Sequence, residues 1–250
     1  MLLKACLNGA RPPGSHPNLP FAPDAVAAAA AKAVAAGAGA VHVHIRNAAE
    51  QESLQARDLA ATLEAVRAAI PGTPVGISTG NWIVADPEER LALVRGWTVL
   101  PDFASVNSHE EGAGDLSRLL MERGVGVEAG IWTPESAEQL VESGVAGGLL
   151  RVLIEPRGRT IDEALDTIAG IDAVLDAHDV DTPRLLHGSG GTVWPLITKA
   201  AEWGYDTRIG LEDCLTLPDG TPAPDNAALI TAALERIQAV SQSEGENDGP

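Results

Sequence analysis

The sequence predicts one α/β domain, a single (β/α)8 barrel of the TIM type, and three observations carry that prediction. The length of 250 residues is close to the roughly 250 that such a barrel takes. Short runs rich in Val, Ile and Leu alternate with Ala/Leu-rich helical stretches along the whole chain, which is the pattern of a parallel sheet covered by helices. The stretch after the first apolar run, LNGARPPGSHPNLP, lacks the GxGxxG loop usual in the open doubly wound alternative.

Eight strand–helix units follow in order. LLKACLNG (2–9) precedes a helix starting near Pro23 and Asp24. AVHVHIR (40–46) precedes ARDLAATLEAVRAAI, and TPVGISTG (73–80) precedes DPEERLALVRGW. FASVNS (103–108) leads to GDLSRLLMERG, and GVGVEAGIW (124–132) to TPESAEQLVESG. GGLLRVLIE (147–155) leads to TIDEALDTIAGIDAVLDAH, and RLLHGSG (184–190) to TVWPLITKAAEWG. DTRIGLED (206–213) and NAALITAALERIQAV complete the set. Thr133-Pro134 reads as a helix N-cap followed by a first-turn proline. Gly37, Gly124, Gly144 and Gly204 read as left-handed helix stops. The barrel is expected over residues 1–241, with no internal linker. The polar segment 242–250 reads as a disordered tail.

Composition narrows the function classes. Apolar residues make up 45% of the chain, enough for a sizeable core, and aromatics only 3%. A formal charge of −18 argues against nucleic acid or an anionic membrane surface as partner. Two cysteines, Cys6 and Cys214, give no disulfide framework and no CxxC. No stretch has the length of a membrane span or a secretory h-region, so the expectation is a cytoplasmic protein.

His42 and His44 flank Val43 in the second predicted strand. Side chains alternate across a strand, so both imidazoles share a face. In a barrel that face can be the interior, near the mouth where catalytic groups gather. Two such imidazoles suit a metal; they equally suit polar residues bonded to strand neighbours. A carboxylate completing the set can come from the last strand, because strands two and eight both border strand one. Glu212 then joins His42 and His44, leaving an open coordination position for water or substrate. Glu212 and Asp213 point to opposite faces of a regular strand, so both serve one site only where the strand ends or bulges. Ser78, Thr79 and Gly80 at the end of strand three fit either a carboxylate or enolate oxygen or ordinary turn chemistry, and Asn107 sits similarly after strand four. Glu128 lies in an apolar run and needs a partner, for which Arg208 is the expected inward cation. His187 reads as a turn histidine or a site contact, and Gly188–Gly191 as a backbone anion site.

Taken together, HPNLPFAPD (16–24), AGAGAVHVHIRN (36–47), ISTGN (77–81), GVGVEAGIW (124–132) and DTRIGLEDCL (206–215) resemble the β-keto acid cleavage enzyme family. The likeness spans about Leu7 to Ile237. It implies a zinc ion (or another divalent metal) on His42, His44 and Glu212. It implies that Ser78, Glu128, Arg208 and Asp213 activate a substrate proton, and that Thr79 and Asn107 hold the substrate carboxylate. The reaction implied is a Claisen-type exchange: a β-keto acid and acetyl-CoA give acetoacetate and a new acyl-CoA. Three places depart from the family pattern: the short loop NSHEEGAGDL, Asn47 where an acidic residue usually follows HxHxR, and LLHGSGGTVWP. A metal-dependent hydrolase and a non-catalytic small-molecule binding barrel are the competing readings. Trp82, Trp97, Trp132, Trp194 and Trp203 near helix ends, together with the resemblance, predict a homo-oligomer, tetrameric or larger.

Overall fold

A computed structural model describes residues 1–158 and 160–247. The strands are β1 (Leu3–Cys6), β2 (Ala40–Val43), β3 (Val75–Ser78), β4 (Phe103–Asn107), β5 (Gly126–Ile131), β6 (Arg151–Ile154), β7 (Arg184–Leu186) and β8 (Asp206–Ile209). They pair in parallel and in sequence order into a closed barrel. The helices α1 (Pro23–Ala35), α2 (Ala56–Ala69), α3 (Pro87–Arg95), α4 (Ala113–Glu122), α5 (Pro134–Glu142), α6 (Ile161–Ala177), α7 (Val193–Trp203) and α8 (Asn226–Asn247) follow the strands in turn. The (β/α)8 barrel expected from the alternation is the observed fold. Among the described residues no helix is long and apolar enough to cross a membrane.

Local chemistry sets the element ends. Asp86 accepts the Glu88 and Glu89 amides at the start of α3, and Thr133 closes a capping box with Ser136 at the start of α5, which satisfies amides that have no intrahelical partner. The four helix-stop glycines named above all have positive φ. Helix α8 continues to Asn247, past the point where a tail was expected at 242; residues 248–250 lie outside the described ones.

Strand parity divides the barrel wall. One row packs outward: Ala5, Val41, Val43, Ile77 and Val127 share an apolar cluster with Leu59, Leu63 and Val66 of α2. A second cluster joins Ala129, Val152, Ile154 and Leu186 to Ile168 and Ile171 of α6 and Leu196 of α7. The alternate row faces the lumen and is markedly polar. Lys4 of β1 meets Glu128 of β5, whose strand stands opposite in the ring, with Nζ 2.5 Å from Oε2 and both side chains fully buried. Ser105 Oγ donates to the same oxygen at 3.2 Å, and Arg151 Nε lies 3.4 Å from Glu128 Oε1. The expected Glu128–Arg208 pair is therefore not formed. A flexible lysine on the opposite wall reaches the carboxylate across the lumen, and spacing along the sequence gives no view of that.

Removing one partner strands the other charge in a low-dielectric interior, so Glu128→Ala is expected to lower the unfolding free energy by about 3–5 kcal/mol. The double replacement Lys4→Met/Glu128→Leu strands neither member of the pair, and Arg151 keeps Asp206 at 3.8 Å, so it should lose less. Urea denaturation of the two variants checks this, and equal losses would show that the ion pair is not the cause.

Candidate active site

The lumen-facing row opens at the strand C-termini into a pocket of about 450 Å³. Its lining includes His42, His44, Ser78, Ser105, Asn107, Glu155, His187, Arg208, Glu212 and Asp213. Strand β2 puts the two histidines side by side, with ring centroids 5.4 Å apart and planes at 77°. Beyond the last pairing of β1, the Asn8 side chain continues the ladder. Its Oδ1 accepts the His44 amide at 2.8 Å and its Nδ2 donates to the His44 carbonyl at 3.0 Å.

The last strand is shorter than the predicted run 206–213. Strand β8 stops at Ile209, and the amides of Asp213 and Cys214 both donate to the Gly210 carbonyl, at 2.9 and 3.0 Å. This turn brings Glu212 and Asp213 to the same side, which a continued strand forbids. Arg11 Nε donates to the Leu211 and Glu212 carbonyls at 2.5 and 3.2 Å and fastens the turn. Gly9 has φ +58, and a side chain there would collide with that of Glu212. Glycine meets both demands.

His42, His44 and Glu212 each offer a ligand atom within 4.8 Å of the others. Glu212 Oε1 lies 3.7 Å from His44 Nε2, and Oε2 lies 3.9 Å from His42 Nε2. Glu212 Oε2 is buried without a hydrogen-bond partner. Orphaned buried polar atoms are costly, and two imidazoles with a carboxylate form the donor set of an open zinc site. The residues thus fit a divalent ion.

The electrostatics agree. Burial holds His42 well below the ordinary histidine range, ready to ligate as the neutral ring. Burial also opposes charge on His44, but the carboxylates of Glu212 and Glu52 outweigh it and push its pKa up to about 9. Burial would raise Glu212, yet Arg208 and His44 hold it well below the usual carboxylate range. Arg208 is shared between neighbouring carboxylates: its Nη2 contacts Glu212 Oε1 and lies 2.5 Å from Asp213 Oδ1. Burial raises Asp213 despite Arg208, and its Oδ2 is buried with no hydrogen-bond partner.

On the opposite flank His187 is buried, with Nε2 3.2 Å from Glu155 Oε2 and Nδ1 3.7 Å from Asp213 Oδ1. Burial opposes ionisation of Glu155, but His187, Arg208 and Arg157 bring it down to about 2. His187 is thus a pocket group, the second of the two roles its sequence position allowed.

Ser78 lines the pocket, its Oγ 3.4 Å from the Gly80 amide. Asn107 also lines it, and Glu110 Oε1 accepts from its amide at 2.7 Å. Thr79 is fully buried and donates its hydroxyl to the Ser105 carbonyl at 2.7 Å. It is not among the pocket-lining groups. Neither is Glu128, which stays below with Lys4. Sequence reasoning missed Lys4, Glu52, Ser105, Glu155 and Arg157. Strand parity with Asn107 flags Ser105, and parity with Leu153 flags Glu155; Glu52 sits in a loop and carries no periodic signal. Of the five tryptophans read as subunit contacts, Trp82 and Trp132 line the pocket. Trp97 is buried with its indole N–H on the Leu54 carbonyl.

The sequence matches the family described as BKACE, beta-keto acid cleavage enzyme, over residues 1–243. The chain belongs to that family. No curated protein matches the sequence. Among solved structures the chain is similar to the apo structure of ObcA, with TM-score 0.70 and 17% identity over 91% of this chain. It spans 63% of that longer chain. It is also similar to the tryptophan synthase alpha chain from Legionella pneumophila subsp. pneumophila, with TM-score 0.61, 14% identity and 95% and 91% of the two chains covered. For the 3-dehydroquinate dehydratase from Aquifex aeolicus VF5 the values are 0.58, 13%, 96% and 98%. These identities establish likeness of fold alone.

The charge on His44 has a measurable consequence in the metal-free protein. Its imidazole is expected to titrate near pH 9, and Glu212→Gln should bring that value down. Because the folded pKa exceeds the unfolded value near 6.5, the associated stability is fully present below about pH 6.5 and is lost as pH rises through about 9. An NMR titration of the histidine ring protons checks this; a ring titrating at or below about 6.5 would contradict it.

Proposed function

We propose that this chain is a zinc-dependent β-keto acid cleavage enzyme that exchanges acyl groups between a β-keto acid and acetyl-CoA. One observation carries the reading. The candidate ligands His42, His44 and Glu212 stand in the same pocket as an unpartnered Asp213 carboxylate oxygen and the Arg208 guanidinium. That combination suits removal of a proton next to a carbonyl better than it suits hydrolysis.

When bound on these three residues, a divalent ion acts as a Lewis acid toward a substrate carbonyl oxygen. The remaining work falls to side chains of the chain itself. Asp213 takes the substrate proton at Oδ2, while its Oδ1 is held by Arg208. Burial raises the proton affinity of Asp213, which favours that step. Arg208 remains as a fixed cation beside the developing negative charge. Ser78 and Asn107 orient the substrate carboxylate from the opposite rim. Thr79 contributes through the backbone at the end of β3, since its hydroxyl is engaged by Ser105. Glu128 acts from below by fixing Ser105 in the pocket floor. In the overall exchange the bond between the keto carbon and the carboxymethyl carbon of the acid R–CO–CH2–COO⁻ is broken, the carboxymethyl fragment takes the acetyl group of acetyl-CoA to give acetoacetate, and the R–CO fragment leaves as R–CO–CoA. The loop after β4 is short, running from Ser108 to Gly112 before α4 begins, so the acids accepted are set mainly by Trp82, Trp132 and Arg157 at the mouth.

The two adjacent carboxylates separate metal binding from proton transfer. Glu212→Gln is expected to lose zinc and activity together. Asp213→Asn should retain zinc yet lose about 10²–10⁴ in rate. Zinc content and turnover of a β-keto acid panel with acetyl-CoA, read by thioester formation, check both variants. Loss of zinc from Asp213→Asn with retention in Glu212→Gln would reverse the assignment. Acid release by the wild type without a new thioester would favour a hydrolase.

A further inference from the structure

Glu52 is neither a candidate metal ligand nor one of the groups assigned to proton transfer or substrate binding above. It lies on the loop after β2, and its Oε1 is 2.5 Å from Nδ1 of His44. Its two carboxylate oxygens also lie 3.2 and 3.1 Å from Nε1 of Trp82, which donates to them. The Trp82 ring in turn stacks on the His44 imidazole, with centroids 6.2 Å apart and planes at 20°.

Separate features hold this arrangement. An antiparallel bridge pairs Glu52 with Arg46, and the Ser53 amide donates to the Ile45 carbonyl at 3.0 Å. The loop backbone is therefore fixed on both sides of the carboxylate. A side chain at Gly80 would run into the Trp82 indole, so the end of β3 is cut away where that ring sits. His42 has no such support, since its Nδ1 lacks a hydrogen-bond partner.

A metal-binding imidazole uses one nitrogen for the ion, and the partner of the other nitrogen selects the tautomer, the ring orientation and the basicity of the ligand atom. We infer that Glu52, anchored by the Trp82 indole, is the positioning residue of His44. It keeps the proton on Nδ1 and presents Nε2 toward Glu212, at the 3.7 Å separation seen here. The loops after β2 and β3 thereby act on the metal centre without supplying a ligand. The inference rests on the metal reading proposed above.

The test compares zinc affinity of the full-length protein by competition with a chromophoric chelator. Glu52→Ala is expected to weaken binding about 10–100-fold. The near-isosteric Glu52→Gln falls at the low end of that range, and Trp82→Phe, which keeps the stacked ring but removes the N–H, loses a smaller factor. Glu50→Gln removes the same charge from the same loop and should leave affinity unchanged. In ¹⁵N-resolved spectra of the zinc-loaded wild type, His44 should show a protonated Nδ1 whose signal moves in Glu52→Gln. Should Glu52→Ala fail to fold, Glu52→Gln and Trp82→Phe carry the comparison. Unchanged zinc affinity in the Glu52 variants would overturn the inference while leaving the metal reading intact. An equal loss in Glu50→Gln would overturn it too, by assigning the effect to net charge. A wild type that binds no zinc would sink the metal reading and this inference together.

Discussion

The pairing of β1 with β8, in which Lys4 stands opposite Arg208 and Ala5 opposite Ile209, closes the cylinder. On its other edge β1 pairs with β2, with Cys6 opposite His42. One short strand thus places the HxH segment and the RIGLED segment on either side of itself, although some 170 residues separate them in the chain. The Glu212 amide donates to the Cys6 carbonyl at 3.3 Å, and the Leu7 amide to the His42 carbonyl at 3.0 Å. The same strand end therefore sets both halves of the candidate metal centre. A slip of one residue in either pairing would turn the histidines or Arg208 out of the lumen.

Charge balance in the pocket follows from that geometry. Glu212, Asp213 and Glu155 are carboxylates crowded into one pocket within a protein of formal charge −18. Arg208 spans the first two, and His187 stands beside Glu155 and Asp213. In the absence of an ion, the charged form of His44 sits between Glu212 and Glu52. A divalent ion would replace that proton with more charge at the same place. Ion binding there would be coupled to deprotonation of His44. A second set of buried charges, Lys4, Glu128 and Arg151, is kept apart below Ser105. The lumen is thus layered, with one buried ion pair below Ser105 and another at the pocket.

Loops complete what the strands begin. Asn8 and Gly9 after β1 shape the backbone around His44 and the space around Glu212. The loops after β2 and β3 meet behind His44 through Glu52 and Trp82. Across the mouth, Trp132 contacts both His109, with ring centroids 4.1 Å apart, and Arg157, whose guanidinium carbon lies 3.4 Å from the ring centroid. The mouth is thus walled by half-exposed aromatic and cationic groups on loops, while the candidate site residues sit on strand ends or on the tightly bonded turn after β8. A rigid floor with adjustable walls suits a barrel whose substrate range varies by loop.

The sequence by itself determined the barrel, because apolar runs of strand length alternate with helical stretches and both periodicities are local properties of the chain. It also determined that His42 and His44 share a face, since that follows from parity within one strand, and it marked Glu212 as a carboxylate near them once the ring was assumed to close. Tertiary structure alone decided the partners of the buried charges. Lys4 takes Glu128, and Arg208 turns to Glu212 and Asp213, because those choices depend on distances across the lumen and on side-chain reach. It alone decided that Glu212 and Asp213 face one pocket, through a turn where the sequence reads as continuing strand. Glu52 and Trp82 became visible only there as well. Glu52 is an unremarked loop residue in the chain and Trp82 reads there as a subunit contact, and they meet at His44 because two loops with no common sequence signal converge above neighbouring strands.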